Sequence, residues 1–264
     1  YTIGTGTAFP PWDVGPRRGI NYELVTAICA ANSAMRCRIQ VRPNADCVAS
    51  DDAGNLVIGA GLATGSLDAC VGWFNTAERE QLGAEFTHPH SFGPTPQLIA
   101  VDGGGFGRLE DGDSLGGALV GFIEGFFTDP TCLARHHDDF ESRVFEASDA
   151  GRADMVAALL DGSVDLLFWD SVGTVPTGTH VVGVPIQDCG PLLSTIVFPP
   201  NTGGRRKADD LRRDYNCGLA LIRANGVMAE ICARSKYPGG DPQCILEGPP
   251  PTVQCLADNP TAPR

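Results

Sequence analysis

Hydrophobic positions along the chain switch between two periods. Tyr1 to Thr5 is a short apolar run that ends in Gly4-Thr5-Gly6, and the rigid Pro10-Pro11-Trp12 follows. From Tyr22 to Met35, Leu24, Ile28 and Ala31 recur at helical spacing with Val25 and Ala27 beside them, which predicts a helix. Arg38 to Val41 reads as a strand, Ala53 to Thr64 as a second helix despite its three glycines, and Leu67 to Trp73 as a strand. Strand–helix–strand–helix–strand is the βαβ pattern of an open, largely parallel sheet.

The pattern recurs. Ala118 to Glu124 reads as a strand, Asp154 to Leu160 as a helix and Val164 to Trp169 as a strand. Leu-x-x-Gly-x-x-Asp occurs at Leu62, Gly65 and Asp68 and again at Leu159, Gly162 and Asp165, each glycine where a helix needs a left-handed residue before a strand. A strand–Gly–loop–helix match pairs Ile3 to Gly6 with Val120 to Gly125, and the two matches suggest an internal duplication. Proline-rich stretches at Pro89 to Pro96 and Pro185 to Pro191 bracket the middle segment. The expected lobes are therefore 1–95 with 190–264, and 96–189. After them come a strand at Ser194 to Phe198, a helix from Ala208 to Asn225 capped by Gly226, and a loop-like tail, 237–264, pinned by disulfides.

Composition narrows the function classes. A formal net charge of −13 removes the footprint needed for nucleic acid and disfavours anionic membranes. No apolar run approaches the ~20 residues of a membrane span, and Tyr1 to Gly4 reads as strand rather than leader. The ten cysteines form no Cys-x-x-Cys pair, which favours disulfides over zinc or a redox motif and so places the chain in the periplasm or outside the cell. No cofactor is expected. Thr87-His88-Pro89-His90 and His136-His137-Asp138-Asp139 lack diagnostic metal spacing, and Asp102 to Gly107 lacks the Lys-Ser/Thr of a phosphate loop.

Five segments together resemble the polar amino-acid family of type II solute-binding proteins, the receptors of ABC transporters, related to glutamate-receptor ligand-binding cores. They are Ile3-Gly4-Thr5 through Phe9-Pro10-Pro11-Trp12; Gly19-Ile20-Asn21-Tyr22-Glu23-Leu24; Thr76-Ala77-Glu78-Arg79 with Phe86-Thr87; Ser114-Leu115-Gly116-Gly117 through Val120-Gly121 to Gly125; and Leu221 to Gly226. The resemblance runs in register nearly to Tyr237. It implies an α/β fold of two lobes, each an open mostly parallel sheet flanked by helices, joined by a two-strand hinge. It also implies a Cys29–Cys37 disulfide. Cys132 with Cys189 is a guess from their place in the middle lobe.

In that family the arginine of Thr-x-x-Arg grips the ligand α-carboxylate, so the resemblance gives Arg79 this role; pairing with Glu78, Glu80 or Glu85 is the alternative. Asp170, at the end of the strand through Trp169, would accept the ligand ammonium, or cap a helix. Phe9 and Trp12 stand where the family stacks an aromatic on its ligand, or serve in the core. The two loops that usually supply Ser and Thr hydroxyls here carry Gly72, Trp73 and Phe74, and Phe126 and Phe127. The aspartate often found near Gly6 is missing, and the stretch from Asp68 to Thr76 is one residue shorter than usual. A more apolar, aromatic pocket follows, suited to an amino-acid-like or aromatic carboxylate ligand, or to a quaternary ammonium.

The expected function is extracytoplasmic capture of a small ligand in an interlobe cleft by a monomer, which hands it to a membrane permease or a fused receptor. Two other readings differ in class. A periplasmic dehydratase-like enzyme on this fold would need an acid or base, for which Glu124, Asp170 and His88 are the candidates. An accessory protein would keep the fold and dock a protein partner.

Overall fold

The computed structural model describes residues 1–6, 13, 17–50, 56–92, 96–123, 130–146, 149–170, 175–186, 192–197, 205–234, 244–252 and 255. The chain divides into two compact units, Tyr1–Phe92 with Leu192–Arg264, and Gly93–Pro191.

The first unit opens with β1 (Thr2–Thr5), α1 (Ile20–Ala31), β2 (Arg38–Val41), β3 (Val48–Ser50), β4 (Leu56–Ile58), α2 (Ala60–Ala63), β5 (Ala69–Phe74), α3 (Ala77–Gln81), β6 (Glu85–Phe86) and β7 (Ser91–Phe92). The second unit holds β8 (Pro96–Val101), β9 (Ser114–Ile123), α4 (Pro130–Leu133), β10 (Asp138–Phe145), α5 (Asp149–Leu160), β11 (Leu166–Asp170) and β12 (Thr179–Val181). The chain then returns to the first unit with β13 (Leu192–Val197), α6 (Arg205–Ala224) and α7 (Val227–Arg234).

Both sheets follow one plan. The first has the order β2-β1-β5-β13-β6, with β7 also on β13; the second has the order β10-β9-β11-β8-β12. In each, the first three strands are parallel, and the neighbour beyond them, β13 or β8, runs antiparallel. In the first unit Ile3, Ala69 and Val71 pack against Leu24, Val25 and Ile28 of α1 and Leu211, Tyr215 and Leu219 of α6. Cys70 points the other way, toward Cys47, Val48, Leu62 and Leu67. The second sheet repeats this two-sided burial: Leu166 and Phe168 join one core cluster, Leu167 and Trp169 another. Strands buried on both faces need the unbroken apolar runs that these segments show.

The duplicated motif is the joint of each unit. Gly65 and Gly162 have φ of 72° and 80°, and Leu62 and Leu159 are buried. The amide of Leu67 reaches back to Gly61 O (2.9 Å), and that of Val164 to Ala158 O (3.0 Å). Each aspartate then clasps the middle one of its three parallel strands, β1 or β9. Asp68 N–H donates to Thr2 O (2.7 Å) while Thr2 N–H donates to Asp68 Oδ2 (2.8 Å). Asp165 N–H donates to Leu119 O (2.8 Å) while Leu119 N–H donates to Asp165 Oδ2 (2.8 Å).

One expectation fails. The segment from Ala53 to Thr64 is not a single helix: Leu56–Ile58 is strand β4, paired antiparallel with β3, and only Ala60–Ala63 is helical. Gly59 explains the break, because a Cβ there would run into the backbone of Ala45 to Cys47. Four disulfides lie among the described residues: Cys29–Cys37, Cys47–Cys70, Cys217–Cys255 and Cys232–Cys244. Cys132 is also disulfide-bonded, and Cys189 lies outside the described residues.

At Gly65 and Gly162 a Cβ meets no atom within 4 Å, so substitution tests backbone conformation alone. Gly65→Ala and Gly162→Ala are each expected to cost about 1–2 kcal/mol in urea unfolding. Gly72→Ala should cost more, because its φ is 79° and its Cβ would fall on the Asn21 side chain.

Candidate functional site

The candidate residues that the structure brings together sit at the end of β5. The pairing of β5 with β13 slips there: Trp73 opposes Ser194 and Val71 opposes Thr195, so Gly72 is left over as a bulge. A bulge glycine in the left-handed region bends its strand and re-aims the next side chains. Here those are Trp73 and Phe74. The Arg79 guanidinium packs against both rings, 4.9 Å from the centroid of Trp73 and 5.9 Å from that of Phe74. Its Nη1 donates to Phe74 O at 2.6 Å, and the residue is only 2% exposed. Glu85, one of the expected surface partners, is engaged by Arg212 at 2.6 Å, and Glu80 is exposed.

Two residues not anticipated as site residues lie behind this platform. Asn21, fully buried at the start of α1, donates from Nδ2 to Asp13 Oδ2 at 2.8 Å. Asp13 is 5% exposed, and its Oδ1, like Asn21 Oδ1, is buried without a hydrogen-bond partner among the described residues. Burial raises the Asp13 pKa to about 6, with the Asn21 hydrogen bond opposing that rise. Gly6 and Asn44 complete the surroundings: a Cβ at Gly6 would stand 3.0 Å from Asn44 Oδ1 and 3.1 Å from Asp13 Oδ2. The sequence signal for the pair was the bare Gly19-Ile20-Asn21 start of α1; nothing pointed to Asp13.

The other candidates are scattered or not described. Asp170 ends β11 in the second unit, its backbone paired with Pro96, and its side chain lies outside the described set. Phe9, Trp12, Phe126 and Phe127, together with Glu124, fall outside the described residues. His88 is exposed and keeps its backbone N–H on Asn216 Oδ1 at 2.7 Å. His136 and His137 turn to different partners, Asp111 Oδ1 and Asp113 O, each at 2.9 Å. No group of His, Cys, Asp or Glu with metal-ligand geometry occurs among the described residues.

His90 is the other unusual titratable group. It is fully buried, and neither ring nitrogen has a partner among the described residues. Burial, and then the Arg223 charge, lower its pKa to about 3. Arg223 itself donates to Pro89 O (2.6 Å) and Ile245 O (2.9 Å), tying the C-terminal segment to the stretch before β7.

No family model matches the chain, and no curated protein matches it. Solved structures do. An arginine periplasmic binding protein from Legionella pneumophila superposes with a TM-score of 0.63 at 18% identity, covering 89% of this chain and 98% of that one. An arginine-specific periplasmic binding protein of Salmonella typhimurium gives 0.60 at 16% identity, with 88% and 97% covered. An amino acid ABC transporter substrate-binding protein from Streptococcus pneumoniae, bound to L-arginine, gives 0.60 at 13% identity, with 89% and 93% covered.

Asp13 and His90 titrate with opposite consequences. The folded pKa of Asp13 lies above its ordinary 3.8, so its contribution falls as pH rises through about 6, by on the order of 3 kcal/mol. The folded pKa of His90 lies below its ordinary 6.5, so its contribution is complete above that value and is lost as pH falls toward about 3. Melting temperatures measured across this range should show Asp13→Asn more stable at neutral pH with a steeper acid limb, and His90→Leu with a shallower one. Parallel profiles for both variants and the parent would remove the two assignments. On the superpositions, the chain has the α/β fold of the periplasmic amino-acid-binding proteins.

Proposed function

We propose that this protein is an extracytoplasmic solute-binding protein whose ligand is an amino-acid-like or aromatic carboxylate, delivered to a membrane permease or a receptor. The observation that carries the reading is Arg79. A guanidinium packed against Trp73 and Phe74 and bonded to Phe74 O is held in one orientation, and a pre-oriented planar fork binds a carboxylate bidentately with little ordering cost. The aromatic rings beside it favour a ligand with a flat or apolar portion, or a cation.

Two further facts support the reading. The solved structures of this fold described above are named as binding proteins, among them arginine binders. Disulfides within the first unit suit an oxidising compartment outside the cytoplasm. No helix among the described residues is long and apolar enough to cross a membrane.

Native mass spectrometry of freshly purified protein, followed by calorimetry with L-amino acids and aryl carboxylates, tests the proposal. A stoichiometric ligand is expected, and Arg79→Lys, which keeps the charge and loses the fork, should weaken it by about tenfold or more. Turnover of the ligand would transfer the assignment to an enzyme. Equal affinity in Arg79→Lys would end the role given to the guanidinium.

A further inference from the structure

A cavity away from β5 is lined, among the described residues, by residues of the first unit alone. The C-terminal segment from Cys244 to Thr252 lies along α6; Cys232–Cys244 joins its start to α7, and beyond its end Cys217–Cys255 joins the chain to α6. Backbone contacts fix its start: Cys244 bridges Ser91, and Ile245 N–H donates to His90 O at 2.9 Å. Between this strap and the helix is a cavity of about 240 Å³. Ala220 and the Cys217–Cys255 disulfide form one wall, and Pro249, Pro250 and Pro251 form the other.

The chemistry of the lining restricts what fits. Consecutive prolines have no N–H, so their wall presents ring faces and carbonyl acceptors and no backbone donor. Asn216 has committed its Oδ1 to the His88 amide, and its amide nitrogen is a donor in the lining. Partial burial and the Arg223 charge hold His88 below its ordinary pKa, which favours the neutral ring with one donor and one acceptor. Among the described lining residues the only formal charges are Arg213 and Asp214, and they neutralise each other, Arg213 donating through Nε and Nη2 to Asp214 Oδ1 at 3.1 and 2.9 Å. A dry cavity of about 150 Å³ is large enough for benzene. This one has room for a ring and a polar substituent.

We propose that this cavity is a second ligand site, for a small uncharged aromatic molecule that carries a hydrogen-bonding substituent. The proposal goes beyond the Arg79 reading and does not rest on it. Ring faces would lie on the prolines and the substituent would meet Asn216 and His88.

The full disulfide-bonded protein is titrated with benzamide, phenol and indole, and with benzoate as the charged counterpart, by ligand-detected and ¹⁵N-detected NMR. The uncharged probes are expected to bind, with shifts centred on Ala220 and the Asn216 side-chain amide, and benzoate to bind about tenfold more weakly or not at all. Ala220→Phe, which fills the floor, should lower benzamide affinity by about tenfold or more. Should that variant fail to fold, Asn216→Leu supplies the second reading: benzamide weakens while benzene does not. Binding of none of the probes, equal binding of benzoate, or shifts that lie elsewhere would each overturn the proposal.

Discussion

The position of everything at the end of β5 depends on how Asp68 enters the sheet. Its amide and carboxylate both bond to Thr2, so the third strand is locked against the first at its opening residue. Lys207 of α6 adds an ion pair to the free carboxylate oxygen at 2.6 Å. From that fixed start the strand runs buried through Cys70 and Val71, then breaks register once, at Gly72. The bulge sets the aim of Trp73, whose ring then covers Arg79. Without the clasp a slip of one residue would exchange the two faces of the strand, moving Val71 out of the α1 and α6 core.

The two units share a plan but differ in what they bury. Among the described residues, the first buries Thr5, Asp13, Asn21, Arg79, Thr87, His90, Ser194 and Thr195, with several others; the second buries Gln97 and His137. Buried polar groups cost stability unless fully bonded, so a unit carrying many of them gives up packing energy for a specific arrangement. The first unit also holds every disulfide whose partners are both described, and the closures are worth about 2.5–4 kcal/mol each in the chain-entropy account, the longer spans the most. The covalent closures offset what the polar interior costs.

Much of the plan was legible in the chain. Leu, Gly and Asp at fixed offsets encode a local event, a helix end followed by a return to the sheet beside β1 or β9, and local events leave local signatures. Arg79 was legible through Thr76 and the motif around it. Other features were hidden for physical reasons. β10 is an edge strand whose Asp138, Asp139, Glu141 and Arg143 face solvent, so it lacks the apolar alternation that announces a strand. β4 has three residues, too few to display a period. Asp13 looks ordinary in sequence, and its burial depends on Asn21 closing over it from another element. The pairings of Cys47, Cys217, Cys232 and Cys244 are consequences of the fold, and spacing alone could not supply them.

The nesting of the last two bridges bears on how the chain matures. Cys29–Cys37 and Cys47–Cys70 join neighbours in sequence, so oxidation in the order in which the thiols are synthesised would pair them correctly. The Cys232–Cys244 bridge instead lies inside the span closed by Cys217–Cys255. Pairing in order of emergence would join Cys217 to Cys232 and Cys244 to Cys255, and only thiolate attack on those bonds could correct it. The nested pair therefore forms either through thiol–disulfide exchange or after α6 and α7 have brought the right thiols together.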